Sequence, residues 1–178
     1  PLLEIVSEPD LRSADMAYEY LNALKDILIY GGISDCDMEK GMVRCDVNIS
    51  VRPKGEEKLG VKVEIKNMNT FSGVRRAINY EVPRQIETLE SGGTLVQETR
   101  RWDDVGAITE SMRTKEHAHD YRYFPEPDIM PLKPDETWLA EVLSHIVELP
   151  LARKQRFVSD YCIPAQDADV FVGNVLLG

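Results

Sequence analysis

Val43-Arg44-Cys45-Asp46-Val47-Asn48-Ile49-Ser50-Val51 is followed, one loop later, by Val61-Lys62-Val63-Glu64-Ile65-Lys66, and these two stretches decide the fold. In both, every odd position is apolar and every even position polar. A period of two is the pattern of a strand that lays one face on a core. Arg52 to Gly60, with Pro53, Gly55 and Gly60, supplies a loop, so the spacing predicts an antiparallel hairpin.

The polar side of this hairpin carries Arg44, Asp46, Asn48, Ser50, Lys62, Glu64 and Lys66. Parity leaves two registers open. One sets Asp46 opposite Glu64, two carboxylates that repel unless a proton or cation joins them. Hard oxygen donors favour Mg²⁺ there. The other sets Asp46 opposite Lys66 and Asn48 opposite Glu64, a ladder of surface pairs.

Working outward, Pro1-Leu2-Leu3-Glu4-Ile5-Val6 reads as a short strand, with Glu4 an unexpected charge in an apolar run. Such a charge sits at a strand edge or is paired, and where it is buried a metal ion serves as the partner. Ser13 is placed to cap a helix whose apolar residues Ala17, Tyr20, Leu21, Leu24, Ile27 and Leu28 recur at helical spacing up to Gly31-Gly32. Beyond the hairpin, Asn69-Thr70-Phe71-Ser72 offers caps for a helix to about Glu90, with Val74, Ile78, Ile86 and Leu89 as its buried side and a kink at Pro83. Leu95 to Trp102 reads as a strand carrying Glu98, Arg100 and Arg101. Asp120 to Asp128 is too rich in proline for a helix or central strand and is expected to be an ordered loop. Helices are expected over Glu136 to Glu148 and Leu151 to Tyr161, with a domain boundary at 134: an α+β piece over 1–134 and a helical piece over 135–178.

Composition bounds the function classes. The 178 residues carry 31 acidic and 21 basic side chains, a net charge of −10, which is not the basic stripe of a protein that coats nucleic acid. Cys36, Cys45 and Cys162 form no C-x-x-C pair, so a zinc knuckle is not expected and free thiols of a reducing compartment are. No apolar run reaches the roughly 20 residues that cross a bilayer, which predicts no membrane partner. The cytosol or an organelle matrix is the expected location. The absence of an initiator Met and the apolar ends lead us to expect a piece of a longer protein.

Other candidates for chemistry lie downstream. Tyr121-Arg122-Tyr123-Phe124-Pro125 combines flat rings with a planar cation, suited to stacking a base or bracketing a phosphate, or simply to pinning a loop. Arg100, Arg101 and Arg113 are further phosphate contacts or surface ion pairs. His117 and His119 form an H-x-H pair that suits a transition metal or an exposed turn.

Taken in order, these blocks resemble one family. Pro1 to Asp10, Arg44 to Ser50, Glu64-Ile65-Lys66-Asn67-Met68-Asn69-Thr70-Phe71, Gln97-Glu98-Thr99-Arg100-Arg101 and Asp120 to Asp128 are similar to successive segments of the GatB/GatE family, the tRNA-activating subunits of the aspartyl/glutamyl-tRNA amidotransferases, over nearly the whole chain. The resemblance implies an antiparallel-sheet cradle like that of glutamine synthetase and the guanidino kinases, followed by the start of an all-helical domain. It implies an ATP- and Mg²⁺-using ligase that phosphorylates the side-chain carboxylate of Glu or Asp misattached to tRNA. Ammonia from a glutaminase subunit (GatA) then displaces the phosphate, in a heterotrimer completed by GatC. On this resemblance Glu4, Asp46 and Glu64 are the candidate metal ligands. Lys66, Arg100 and Arg122 are candidates for neutralising phosphate or acyl phosphate, and Arg113 and Tyr123 for holding the nucleotide. The family's earlier strands, with a His and further acidic ligands, have no counterpart in this sequence, so these residues alone are expected to be inactive. Two other readings remain: a non-catalytic scaffold that binds RNA or a partner, and a different ATP-dependent carboxylate-activating enzyme.

Overall fold

A computed structural model describes residues 2–114 and 127–174. The chain divides into two units, one of Pro1–Lys25 with Cys36–Glu116 and the other of Asp26–Asp35 with His117–Gly178.

The first unit is built on a four-stranded sheet in the order β1 (Val47–Ile49), β2 (Val63–Lys66), β3 (Glu98–Asp103), β4 (Ile108–Thr114). The expected hairpin is present as the antiparallel pair β1–β2, and β3–β4 is a second antiparallel pair that the sequence reading did not mark. Between them β2 and β3 run parallel, so the sheet is mixed, which corrects the expectation of an antiparallel one. The reason is the connection. Helix α2 (Phe71–Glu90) follows β2 directly and spans roughly 30 Å at 1.5 Å per residue. That carries the chain back to the end where β2 began, and the next strand must then run the same way.

The expected first strand is not formed. Residues 2–7 have no regular structure, and Leu2 and Val6 are 94% and 81% exposed. An apolar run becomes a strand only against a partner ladder, and among the described residues none lies beside it. Helix α1 (Ala14–Tyr30) begins where expected, with Ser13 Oγ accepting from the Met16 amide at 3.1 Å. Its Ala14 and Ala17 join Ile65, Met68, Val74, Ala77, Ile78 and Trp102 in the core between sheet and helices.

Thr70 caps α2, its Oγ1 accepting from the Gly73 amide at 2.9 Å, and Pro83 sits inside the helix. The buried side differs from the expected one. Val74 and Ile78 are buried, but Ile86 and Leu89 are 41% and 43% exposed, and Glu81 and Gln85 take the inner positions with no exposed surface. Charged residues do not enter a core unless paired, so this exchange points to a polar network beneath α2.

In the second unit, α1 ends at Gly31-Gly32, with Gly32 at φ +63° and the Ile33 amide donating to Leu28 O at 2.9 Å. Helices α3 (Glu136–Ser144), α4 (Pro150–Tyr161) and α5 (Ala165–Val172) follow. The first stops one turn before the expected Glu148, and the last was not anticipated. Tyr30 is buried here: its hydroxyl donates to Val172 O at 2.7 Å, and the Arg153 guanidinium lies 5.1 Å from its ring centre. Glu148 accepts from Arg156 at 2.6 and 2.8 Å, and this partner holds its carboxyl below the ordinary range.

Candidate functional site

The period-two pattern gives the sheet two unlike faces. Odd residues of β1 and β2 (Val47, Ile49, Val63, Ile65) and even residues of β3 (Glu98, Arg100, Trp102) share the face that α2 covers. The opposite face carries Asn48, Glu64, Lys66, Thr99, Arg101 and Glu110 in adjoining register positions.

On that second face the pairing resolves the register. Val47 pairs with Ile65, Asn48 with Glu64, and Ile49 with Val63. Asp46 therefore falls beside Lys66 and not opposite Glu64, and the Lys66 ammonium donates to Asp46 Oδ2 at 2.6 Å. The same ammonium lies 3.4 Å from Glu64 Oε1, while Glu64 Oε2 accepts from the Thr99 hydroxyl at 2.8 Å. The hydrogen bond to Asp46 is the main reason the Lys66 ammonium holds its proton above the ordinary lysine range, against the opposing effect of partial burial. Arg101 and Glu110 close the row with a 2.6 Å ion pair. Exposure grades across the row, from 17% for the Glu64 side chain through 37% for Lys66 to 47% for Asp46.

Beneath the sheet lies a cluster that pattern reading missed. Glu81 is fully buried, and its carboxylate accepts from Arg84 at 2.6 and 2.9 Å, from Gln85 at 2.9 Å and from the Thr109 hydroxyl at 2.8 Å. Arg100 spans the gap to the strands. It donates to Thr109 Oγ1 and O at 2.8 and 2.7 Å and to Glu98 Oε1 at 2.7 Å, with Ser111 donating to the other Glu98 oxygen. Two carboxylates and two guanidiniums give the cluster zero net charge. Burial pushes the Glu81 carboxyl upward, but hydrogen bonds from Arg84, Gln85 and Thr109 outweigh it and hold the group below the ordinary range. The sequence does carry a signal for it: Glu81, Arg84 and Gln85 fall on one helix face with Val74, Ala77 and Ile78.

The structure thus brings Asp46, Glu64 and Lys66 together on the sheet face opposite α2. Glu4 is exposed in the irregular first segment. Arg100, expected at a phosphate, is placed on the helix side, where Glu98 and Glu81 occupy its charge. The backbone of Arg113 pairs with Thr99 in β4. Arg122, Tyr123, His117 and His119 lie outside the described residues. Among the described residues no three His, Cys, Asp or Glu side chains gather as a metal cage. Magnesium often takes only one or two protein carboxylates and fills its remaining positions with water and phosphate oxygens. Asp46 and Glu64 fit that donor set, and their common contact with one ammonium means the pair already accommodates a shared positive charge.

Comparison with known proteins places the chain in a family. Residues 1–140 match the family model described as the GatB/GatE catalytic domain. The chain is 55% identical over 174 residues to the GatB subunit of an aspartyl/glutamyl-tRNA(Asn/Gln) amidotransferase from Caldicellulosiruptor saccharolyticus, covering 98% of this chain and 36% of that relative. Proteins of the same name from Carboxydothermus hydrogenoformans and Myxococcus xanthus are 56% and 53% identical, over 96% of this chain and 35% and 36% of theirs. The chain therefore spans about a third of the length of these relatives. With a match across more than three quarters of its residues, the chain belongs to the GatB/GatE catalytic-domain family.

Proposed function

We propose that this chain is the part of an amidotransferase GatB subunit that activates the acyl group of a misacylated tRNA. The γ-phosphoryl of ATP passes to the side-chain carboxylate of Glu on tRNA(Gln), or Asp on tRNA(Asn), and ADP departs. Ammonia then attacks the acyl phosphate, phosphate leaves, and the side chain becomes an amide. A carboxylate is a poor acyl donor and an acyl phosphate a good one, so the protein's task is alignment and charge neutralisation.

The observation that carries this reading is the Asp46–Lys66–Glu64–Thr99 row on the sheet face opposite α2, in a chain of this family. Magnesium, when bound, supplies charge neutralisation at the phosphates, with Asp46 and Glu64 as its protein oxygens and Glu4 as a third. Lys66 releases Asp46 and donates to a phosphoryl oxygen. Arg113, Arg122 and Tyr123 contact phosphate and base, and Arg100 secures β3 from below. A sheet with α2 packed on one face suits a cradle like that of glutamine synthetase, with residues 135–178 opening the helical domain. GatA as ammonia source, GatC and misacylated tRNA are the partners, in the cytoplasm or an organelle matrix. No helix among the described residues is long and apolar enough to cross a membrane.

The test is amide formation on Glu-tRNA(Gln) by the full-length protein with GatA, GatC, glutamine, ATP and Mg²⁺. Glu64→Gln and Lys66→Met should each lower the rate at least tenfold. Wild-type rates in both variants would refute the placement of the reaction on this face.

A further inference from the structure

The side chain of Thr99 belongs to neither the apolar core nor the solvent. It is 2% exposed, in the middle of the sheet, and stands directly across the parallel ladder from Glu64. Its hydroxyl donates to Glu64 Oε2 at 2.8 Å. A β-branched residue suits a strand, but valine would do that equally well, and the hydroxyl is what addresses the carboxylate.

The backbone around Thr99 is held with unusual care. The β3–β4 register shifts between Thr99 and Arg100, an irregularity of the kind that re-aims a side chain. Its two neighbours in sequence, Glu98 and Arg100, both turn to the opposite face and lock into the buried cluster with Glu81, Arg84, Thr109 and Ser111. Polar side chains thus grip the strand on either side of one residue whose own side chain points the other way.

We propose that Thr99 is a positioning residue for Glu64. It fixes the carboxylate so that Oε2 is committed to the hydroxyl and Oε1 stays on the side of the Lys66 ammonium, where a bound divalent ion would share it. The inference rests on the metal reading above, and it adds a residue and a role to it. An outer hydrogen bond of this type orients a ligand before the ion arrives, and its removal commonly costs tenfold or more in metal affinity. Thr99→Val keeps the shape and branching and deletes only the hydroxyl. Thr99→Ser keeps the hydroxyl and deletes a methyl group.

The experiment measures Mn²⁺ binding by electron paramagnetic resonance on the full-length protein with GatA, GatC and a non-hydrolysable ATP analogue. Thr99→Val should weaken Mn²⁺ about tenfold, Thr99→Ser should remain within about threefold of wild type, and Glu64→Gln should weaken it at least as much as Thr99→Val. In turnover, the Mg²⁺ concentration for half-maximal rate should rise in Thr99→Val while the rate at saturating Mg²⁺ changes little. A residue that merely filled space would give the reverse order, with serine the worse variant. Wild-type affinity in Thr99→Val beside weakened binding in Glu64→Gln overturns the inference alone. Wild-type affinity in both overturns it together with the placement of the metal.

Discussion

Replacing Glu81 by glutamine removes one charge from the buried cluster while keeping the side chain's shape, and the structure sets the size of the effect. Glu81 Oε1 accepts from Arg84 and Gln85, and Oε2 from Arg84 and Thr109. An amide turns one of these acceptors into a donor facing donors. The Thr109 hydroxyl can rotate, but the Arg84 guanidinium cannot and loses one of its two charge-assisted bonds, each contributing about 1.5–3 kcal/mol. Arg84 is 22% exposed, so water recovers part of that loss. Arg100, only 12% exposed, is left with Glu98 as its sole full counter-charge in the cluster. The net cost is about 3 kcal/mol, toward the lower end for breaking a buried pair. At 2–4 °C per kcal/mol for a chain of this size, the melting temperature should fall by about 6–12 °C.

Calorimetry or urea unfolding at pH 7 measures this, with the exposed Glu87→Gln on the same helix as a control that should stay within about 0.5 kcal/mol. The pH profile adds an independent check. The Glu81 carboxyl in the fold lies below its ordinary 4.5, so its contribution is complete above that value and is lost as pH falls through the folded one. The wild type should therefore lose stability more steeply than Glu81→Gln below about pH 4.5. A melting shift under about 2 °C, with parallel acid profiles, would refute the view that this carboxylate holds α2 on the sheet.

Two further outcomes follow from single contacts. A Cβ at Gly60 would run into the Val51 carbonyl oxygen, so Gly60→Ala should lower stability by about 1–3 kcal/mol in urea unfolding; an unchanged midpoint would mean the loop between β1 and β2 yields freely. Burial, with the nearby Asp46 charge, pushes the Cys45 thiol up to about 11, leaving about a thousandth of it as thiolate at pH 8. Iodoacetamide should label exposed Cys162 well before Cys45, read by peptide mass spectrometry, and equal rates would contradict that burial.

The parts of the fold that could be read from sequence are those that local chemistry dictates. The hairpin announced itself because nine consecutive residues from Val43 alternate, and α2 because Thr70 and Ser91-Gly92-Gly93 bracket it. The register of that hairpin could not be read, because shifting the partner by two residues leaves the apolar set facing the same way. Only the ladder itself separates an Asp46–Glu64 pairing from the Asp46–Lys66 pairing found. The inner side of α2 was misread for a different reason. Ile86 and Leu89 look like core residues and Glu81 and Gln85 do not, yet Glu81 is made tolerable inside by Arg100 and Thr109, 19 and 28 positions away. A sequence window holds the local half of that network, Arg84 and Gln85, but not the remote half that joins the helix to the sheet. Strand β4 escaped notice because its inward residues, Thr109 and Ser111, are polar members of the same network.

The unlike faces of β3 also limit how this stretch of chain can vary in length. Inserting or deleting one residue within Glu98–Asp103 would trade the faces, turning Thr99 and Arg101 under α2 and lifting Glu98 and Arg100 to the open side. The strand members of the neutral cluster would then look outward, and Thr99 would lose its contact with Glu64. The segment 91–97 has no ladder to keep and can gain or lose residues without that inversion. Length variation among relatives should accordingly collect before Glu98 and stop there.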